Sequence, residues 1–184
     1  WQSIQTDVVP ELTGKIVVGI KFSHDAASVS LGVAARTKDG RIYTEVIDCR
    51  STRSGTAWIL DFLKKTAGST KKVIIDGASG QQLLADEMKA AKLKPPHLPT
   101  TRDVITANAV FEPRIEQGIL CHSGQPSLAQ AASSCEHRAI GSNGGFGYRA
   151  IKEGVDISVL DCAVLACWGV DEFKETQIRQ RISY

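Results

Sequence analysis

The sequence of 184 residues lacks the features of several protein classes. It has no apolar run that approaches the roughly 20 residues of a membrane span. It has no charged-then-apolar start typical of a signal peptide. Cysteine occurs only five times and never as a C-x-x-C pair, which disfavours both a zinc site and a disulfide framework. We therefore expect a reducing compartment such as a cytoplasm, and no membrane partner.

Sequence motifs of several common enzyme classes are also missing. No G-x-x-x-x-G-K-[ST] loop occurs, which excludes a P-loop ATPase within this sequence. No G-x-G-x-x-G links a strand to a helix. The G-x-S-x-G motif is also missing, which argues against an α/β-hydrolase. Cys121 and His122 are adjacent, so on a strand they would point to opposite faces and would not act as a catalytic pair. The net charge of +2 neither requires nor forbids a nucleic-acid partner.

The composition, with 42% hydrophobic and 23% charged residues, is that of one ordinary globular domain. Residues 1–13, which contain Pro10, are predicted to be a linker or incoming tail. The domain is predicted to span 14–173 and to be followed by a C-terminal tail at 174–184. Because the first residue is Trp1 rather than Met, we expect a piece of a longer chain.

The hydrophobic pattern predicts a mixed α/β sheet with helices packed on its faces. Three strands come first, over 15–22, 28–36 and 41–48, and the K-D-G turn at 38–40 indicates an antiparallel meander. Helices and strands then alternate. Helices are predicted over 56–67, 80–93, 102–118, 126–139 and 158–173, and strands over 71–76, 97–101, 119–123 and after the glycine-rich turn within 141–154. Pro113 should kink or break its helix, and Ser158 should cap the last one. This order of elements resembles that of the ribonuclease H-like fold.

Four aspartates follow or flank the ends of predicted elements. Asp25 follows the first strand, Asp76 ends the strand over 71–76, Asp156 precedes the last helix, and Asp161 lies in its first turn. Ligands of open α/β sheets bind at the carboxyl ends of the strands. Carboxylates gathered there repel one another unless a divalent cation is present, and Mg²⁺ prefers oxygen ligands. Two such ions can clamp the attacking and leaving oxygens of a phosphodiester.

Each of these acids also has an ordinary structural explanation, and those alternatives remain open. Asp25 and Asp76 fit turn positions, Asp156 suits the positive end of a helix dipole, and Asp161 fits a solvated helix face. Among the scattered basic residues, Arg149 and Lys152 flank the glycine-rich segment near Asp156, and we prefer them as phosphate contacts. A solvated face explains most of the others without DNA.

Three stretches together carry a resemblance to a known family: GIKFSHDAASVSLGVA at 19–34, VIIDGASGQQLLADEM at 73–88 and GVDISVLDCAVLACWG at 154–169. They resemble the C-terminal nuclease domain of large terminase subunits from tailed phages and prophages, above all the actinobacterial-phage type. The resemblance extends over nearly all of 14–172. It implies a ribonuclease H-like fold and metal-dependent cleavage of double-stranded DNA, with a packaging ATPase domain N-terminal to the nuclease.

Carried over by position, the resemblance implies that Asp25, Asp76 and Asp156 are catalytic metal ligands, with Asp161 as a second candidate for the last role. It implies Mg²⁺ or Mn²⁺, with two ions bound. Many members have an aspartate where this chain has Lys21. The G-x-K-F-S-x-D form recurs in the actinobacterial-phage subset, so Lys21 does not by itself indicate an inactive enzyme. We expect its ammonium to lie near the acids or the scissile phosphate of bound DNA, and to tune or partly replace a metal.

The partners that the resemblance implies are double-stranded DNA, the ATPase domain of the same chain, the portal and the small terminase subunit, in the host cytoplasm. Three other hypotheses about the function stay open. One is another ribonuclease H-like nuclease, of the resolvase or integrase type. The second is a catalytically degenerate DNA-docking module of the packaging motor, in which Lys21 marks the lost site. The third is a small-molecule α/β enzyme with a deep apolar pocket away from the acids.

Overall fold

A computed structural model describes residues 1–142 and 144–173. The predicted C-terminal tail at 174–184 lies outside the described residues. The main sheet has five strands: β1 Leu12–Phe22, β2 Ser28–Thr37, β3 Ile42–Ser51, β4 Thr70–Asp76 and β5 Leu120–Cys121. Their order in the sheet is β4-β1-β2-β3-β5. A separate hairpin pairs β6 Cys135–Ile140 with β7 Gly145–Ala150. The helices are α1 Ala57–Thr66, α2 Gln81–Ala90, α3 Thr101–Glu116, α4 Pro126–Ser133 and α5 Ser158–Glu172.

Strand β1 lies in the middle of the sheet and presents a different face to each helix layer. Its residues alternate: Val18, Ile20 and Phe22 pack into the core shared with α1 and α2. Val17 packs into the core shared with α3, α4 and α5. The period of two in a strand therefore puts Gly19 and Lys21 on the α5 side, in line with Val17.

Two glycines set how closely helix α5 approaches the sheet. Gly19 and Gly32 are register partners on β1 and β2. A Cβ on Gly19 would lie inside contact distance of the Cys162 carbonyl oxygen and 2.8 Å from the Ala166 nitrogen. The backbone of α5 thus rests directly on this glycine pair, which places the first turn of the helix over the carboxyl end of β1.

Much of the predicted element order is confirmed. The three-strand antiparallel meander is present, since β1 pairs with β2 and β2 with β3 in antiparallel register. The predicted helices near 56–67, 80–93, 102–118 and 158–173 and the strand near 71–76 also occur. Cys162 and Cys167 are fully buried in α5, as small core residues. No helix among residues 1–142 and 144–173 is long and apolar enough to cross a bilayer.

Two element predictions were wrong. The predicted helix over 126–139 ends at Ser133, and its remainder is β6, because pairing with β7 overrides the helix-forming side chains. The predicted strand over 97–101 is a single bridge between His97 and Ile74. Pro96 and Pro99 flank this bridge, and prolines have no N–H with which to extend a ladder.

Two local predictions about helices also differ from the structure. Helix α3 continues through Pro113 to Glu116 instead of breaking. Pro113 is exposed and lies in the last turn of the helix. Because proline has no N–H, the carbonyl of Ala109 has no helical donor, but Ala109 is exposed as well. The N-cap of α5 is Ile157 rather than Ser158, and the Ser158 hydroxyl donates a hydrogen bond to the Asp156 carboxylate.

The first residues of the predicted linker pack onto the domain. Ile4 is buried, Gln5 forms a parallel bridge with His122, and the Trp1 ring stacks on His122 at a centroid distance of 4.1 Å. Strand β1 already begins at Leu12. The origin of residues 1–13 as the end of an ATPase domain stays a prediction.

Candidate active site

A groove of about 1090 Å³ opens at the carboxyl ends of β1 and β4, where the first turn of α5 and the β6–β7 hairpin form its walls. All four aspartates singled out in the sequence line it. The charged side chains along the groove are Lys21, Asp25, Asp76, Arg138, Arg149, Asp156 and Asp161. This groove is therefore the place where the predicted acids meet.

Lys21 and Asp76 form the floor of the groove. β1 and β4 are parallel, and these residues are register partners at the ends of the two strands, so both side chains point to the α5 side. The Lys21 ammonium donates a hydrogen bond to Oδ2 of Asp76, and the side chains are only 15% and 18% exposed. Gly77 follows Asp76 with a φ of 112°, which lets the chain turn against Phe22 where L side chains would be strained. The predicted position of the Lys21 ammonium beside the acids is confirmed.

Asp161 reaches the same ammonium from helix α5. Its Oδ2 lies 3.9 Å from Nζ of Lys21, and its side chain is 18% exposed. Burial raises the pKa of Asp161 to about 6, and the charges of Asp76 and Asp156 act in the same direction, against Lys21 and Arg138. The alternative of a solvated helix face is therefore wrong for Asp161.

The raised pKa of Asp161 predicts a pH-dependent effect of Asp161→Asn on stability. The Asp161 carboxyl holds its proton more tightly in the folded protein than in the unfolded chain. Its contribution to the free energy of unfolding of wild type therefore falls as the pH rises from about 4 to about 6. This rise in the pKa of Asp161 corresponds to about 3 kcal/mol in the free energy of unfolding. In urea unfolding at pH 8, we expect Asp161→Asn to be more stable than wild type by up to that amount. The difference should vanish near pH 3.5, and an unchanged difference across this range would contradict the assignment.

Asp156 is held in place by a group of serines. Its Oδ1 accepts hydrogen bonds from the Ser158 backbone N–H at 2.9 Å and from the Ser158 hydroxyl at 2.6 Å. Its Oδ2 accepts one from the Ser28 hydroxyl at the start of β2. The buried Ser30 hydroxyl lies 2.7 Å from that of Ser158. These contacts orient the carboxylate toward the first turn of α5. The sequence indicated Ser158 only as a helix cap, and no sequence pattern indicated Ser28 or Ser30.

Asp25 lies at the exposed mouth of the groove. Its Oδ1 accepts hydrogen bonds from the Ser23 hydroxyl at 2.6 Å and from the Ala27 N–H at 3.0 Å. These bonds, led by the one from Ser23, lower the pKa of Asp25. The carboxylate thus stabilises its own turn and remains ionised beside the groove. Its role as a metal ligand stays a prediction.

The basic side chains of the groove belong mainly to the β6–β7 hairpin. Arg138 and Arg149 line the groove; the Nε of Arg138 donates to the Tyr148 carbonyl at 3.3 Å, and that of Arg149 donates to Glu136 at 2.8 Å. Lys152 is exposed on the turn after β7 and does not line the groove, so its DNA contact stays a prediction. In the sequence, Arg138 was one of several scattered basic residues that could bind phosphate, and Arg149 and Lys152 were preferred to it because they flank the glycine-rich segment near Asp156.

The donor set of the groove suits a hard divalent cation. Four aspartates face one lysine and two arginines, so the groove has an excess of negative charge before any phosphate enters. Asp76 and Asp161 supply carboxylate oxygens from two rigid elements, and Mg²⁺ commonly takes one or two carboxylates plus water and phosphate oxygens. Within residues 1–142 and 144–173, no three His, Cys, Asp or Glu side chains are arranged to hold a metal ion by themselves. The protein would therefore provide only part of the coordination sphere.

Comparison with known proteins places the fold. No protein-family model matches the chain, and a search of curated proteins finds no match. Among solved structures, the large terminase of bacteriophage HK97 is similar at a TM-score of 0.66 and 14% identity, over 87% of this chain and 41% of that one. The chain therefore spans about two fifths of the length of that protein.

Two isolated nuclease domains are similar over most of their own length. The large terminase nuclease of thermophilic phage G20c has a TM-score of 0.57 and 14% identity, over 88% of this chain and 86% of that one. The large terminase nuclease domain of bacteriophage SPP1, solved with bound Mn, has a TM-score of 0.57 and 15% identity, over 89% of this chain and 94% of that one. At such identities the likeness shows the fold, and the predicted ribonuclease H-like fold is confirmed.

Proposed function

We propose that this domain is the metal-dependent endonuclease domain of a viral DNA-packaging terminase, which cleaves double-stranded concatemeric DNA. The observation that carries the proposal is the meeting of Asp76 and Asp161 around Lys21, at the carboxyl ends of two parallel strands and inside one charged groove. The shared fold with terminase nuclease domains supports it. The ATPase domain, portal and small subunit remain partners expected by resemblance, and the actinobacterial-phage type remains a prediction.

The residues of the groove divide into three roles. Asp76 and Asp161 would hold a Mg²⁺ or Mn²⁺ ion, and Asp25 and Asp156 are the candidates for extending that set to the two ions that we predict. When bound, divalent cations supply charge neutralisation at the scissile phosphate and make water a stronger nucleophile at neutral pH. No side chain is needed as the nucleophile. Arg138 and Arg149 lie where they can bind the phosphate backbone and so position the duplex.

A plasmid assay tests the proposal. The domain should nick or linearise supercoiled plasmid in Mn²⁺ or Mg²⁺, and the plasmid should remain intact when EDTA is added. Because phosphate contacts release counterions, cleavage should also weaken as salt is raised from 50 mM to about 200 mM. Cleavage that persists in EDTA, or a folded domain that leaves plasmid intact with both metals, would count against this function.

Two other functions are separated by further measurements. The ion pairing of Lys21 with Asp76 gives specific support to a degenerate DNA-docking module, since these charges already compensate each other in part. Such a module would bind duplex DNA but no Mn²⁺ in calorimetry. A nuclease of the resolvase type would cleave a four-way junction in preference to linear duplex, whereas the proposed function predicts no such preference.

A further inference from the structure

Lys21 places its ammonium close to both central carboxylates of the groove. Its Nζ bonds to Asp76 and lies 3.9 Å from Oδ2 of Asp161. The backbone of Lys21 is paired on both sides, with Asp76 in β4 and with Ser30 in β2. The sheet therefore fixes the base of the side chain, and the ammonium can leave the carboxylates only by rotation of its own stem.

A divalent cation held by Asp76 and Asp161 would need the same oxygen atoms. Two cations within about 4 Å of each other repel strongly in a partly buried site, where charges are screened less than in water. With a side chain only 15% exposed, Lys21 is not free to share the space as a solvated surface charge would be. Occupation by the ammonium and occupation by a metal ion are thus in competition.

We propose that Lys21 keeps metal ions weakly bound at Asp76 and Asp161 until a DNA phosphate enters the groove. The phosphate supplies both a new anionic partner for the ammonium and oxygen ligands for the metal, so metal and DNA bind cooperatively. This inference rests on the proposed function. The inference extends that function, because it attributes the cooperative binding of metal and DNA to the charge of Lys21.

Mn²⁺ titrations followed by electron paramagnetic resonance of the free ion test the inference without any cleavage. In the absence of DNA, Lys21→Met should bind Mn²⁺ at least about tenfold more tightly than wild type, because the competing charge is gone. Lys21→Arg, which keeps the charge, should remain close to wild type. Equal or weaker Mn²⁺ binding by Lys21→Met would overturn the inference, since a purely structural ion pair predicts that result.

A second titration, with a short DNA duplex present and with the Mn²⁺ bound by DNA alone subtracted, tests the coupling. Duplex should tighten Mn²⁺ binding by wild type more than by Lys21→Met; an equal gain in both would contradict the proposed coupling. Lys21→Gln, which keeps a polar side chain without the charge, replaces Lys21→Met if thermal melting shows that the methionine variant is unfolded. The plasmid assay keeps the two ideas apart: wild-type cleavage with unchanged Mn²⁺ affinity in Lys21→Met refutes only the role of Lys21.

Discussion

Asp76→Asn is expected to lower metal-dependent plasmid cleavage by more than about 100-fold. Removal of groups that merely orient metal ligands typically costs about 10–100-fold, and loss of a ligand itself should cost more. Asp76 ends β4, pairs with Lys21 and shares the groove with Asp161, so its charge lies at the centre of the proposed site. The neutral amide keeps the size of the side chain, which makes the lost charge the main change.

The matched control is Asp86→Asn. Asp86 is exposed on α2, where it accepts a hydrogen bond from Gln82 at 3.1 Å, and it is not among the residues that line the groove. Initial rates in Mn²⁺ should be within twofold of wild type for this control, in line with the small effects of surface substitutions. If Asp76→Asn cut plasmid as fast as Asp86→Asn while both were folded, Asp76 would not belong to the catalytic site.

Gly19→Ala is expected to lower the free energy of unfolding by about 3 kcal/mol, the upper part of the usual range for an overpacked core. The new methyl group would meet the backbone of α5 at Cys162 and Ala166, and a backbone cannot rotate away as a flexible side chain can. The helix would have to move off the sheet, and Asp161, next to Cys162, would move with it. The rate of plasmid cleavage per folded molecule of Gly19→Ala should therefore be lower than that of wild type.

Gly68→Ala provides the comparison for this substitution. Gly68 follows α1, and an added Cβ there would have no neighbour within 4 Å. Urea unfolding should show a change within about 1 kcal/mol, toward greater stability because alanine restricts the unfolded chain. Equal stability of Gly19→Ala and wild type would mean that α5 does not rest on the glycine pair as described.

The sequence predicted the floor of the site better than its walls. Asp76 ends β4 and Lys21 is the penultimate residue of β1, so both lie near the carboxyl ends of predicted strands, where ligands of open α/β sheets bind. What it did not indicate is that the two strands are parallel neighbours in register, because strand order depends on contacts between distant segments. The ion pair is a consequence of that register.

The other walls depend on packing that local patterns do not contain. The segment 135–140 has helix-forming residues, yet it pairs with β7 and so brings Arg138 over the acids. Whether Asp156 or Asp161 faces the groove centre was undecided from spacing. The close contact of α5 with Gly19 brings Asp161 to Lys21, and Ser158 holds the Asp156 carboxylate at the start of the helix.

The central claim is that Asp76 and Asp161 share one metal ion in a DNA-cleaving groove. The most direct test is anomalous diffraction from crystals of the domain soaked in Mn²⁺, for wild type and for the Lys21→Met variant, which we expect to load more fully. We predict a Mn²⁺ peak within about 2.5 Å of carboxylate oxygens from both residues, with Lys21 turned away in wild type. Mn²⁺ peaks that contact neither or only one of Asp76 and Asp161, or no peak in the groove of either protein, would contradict the account.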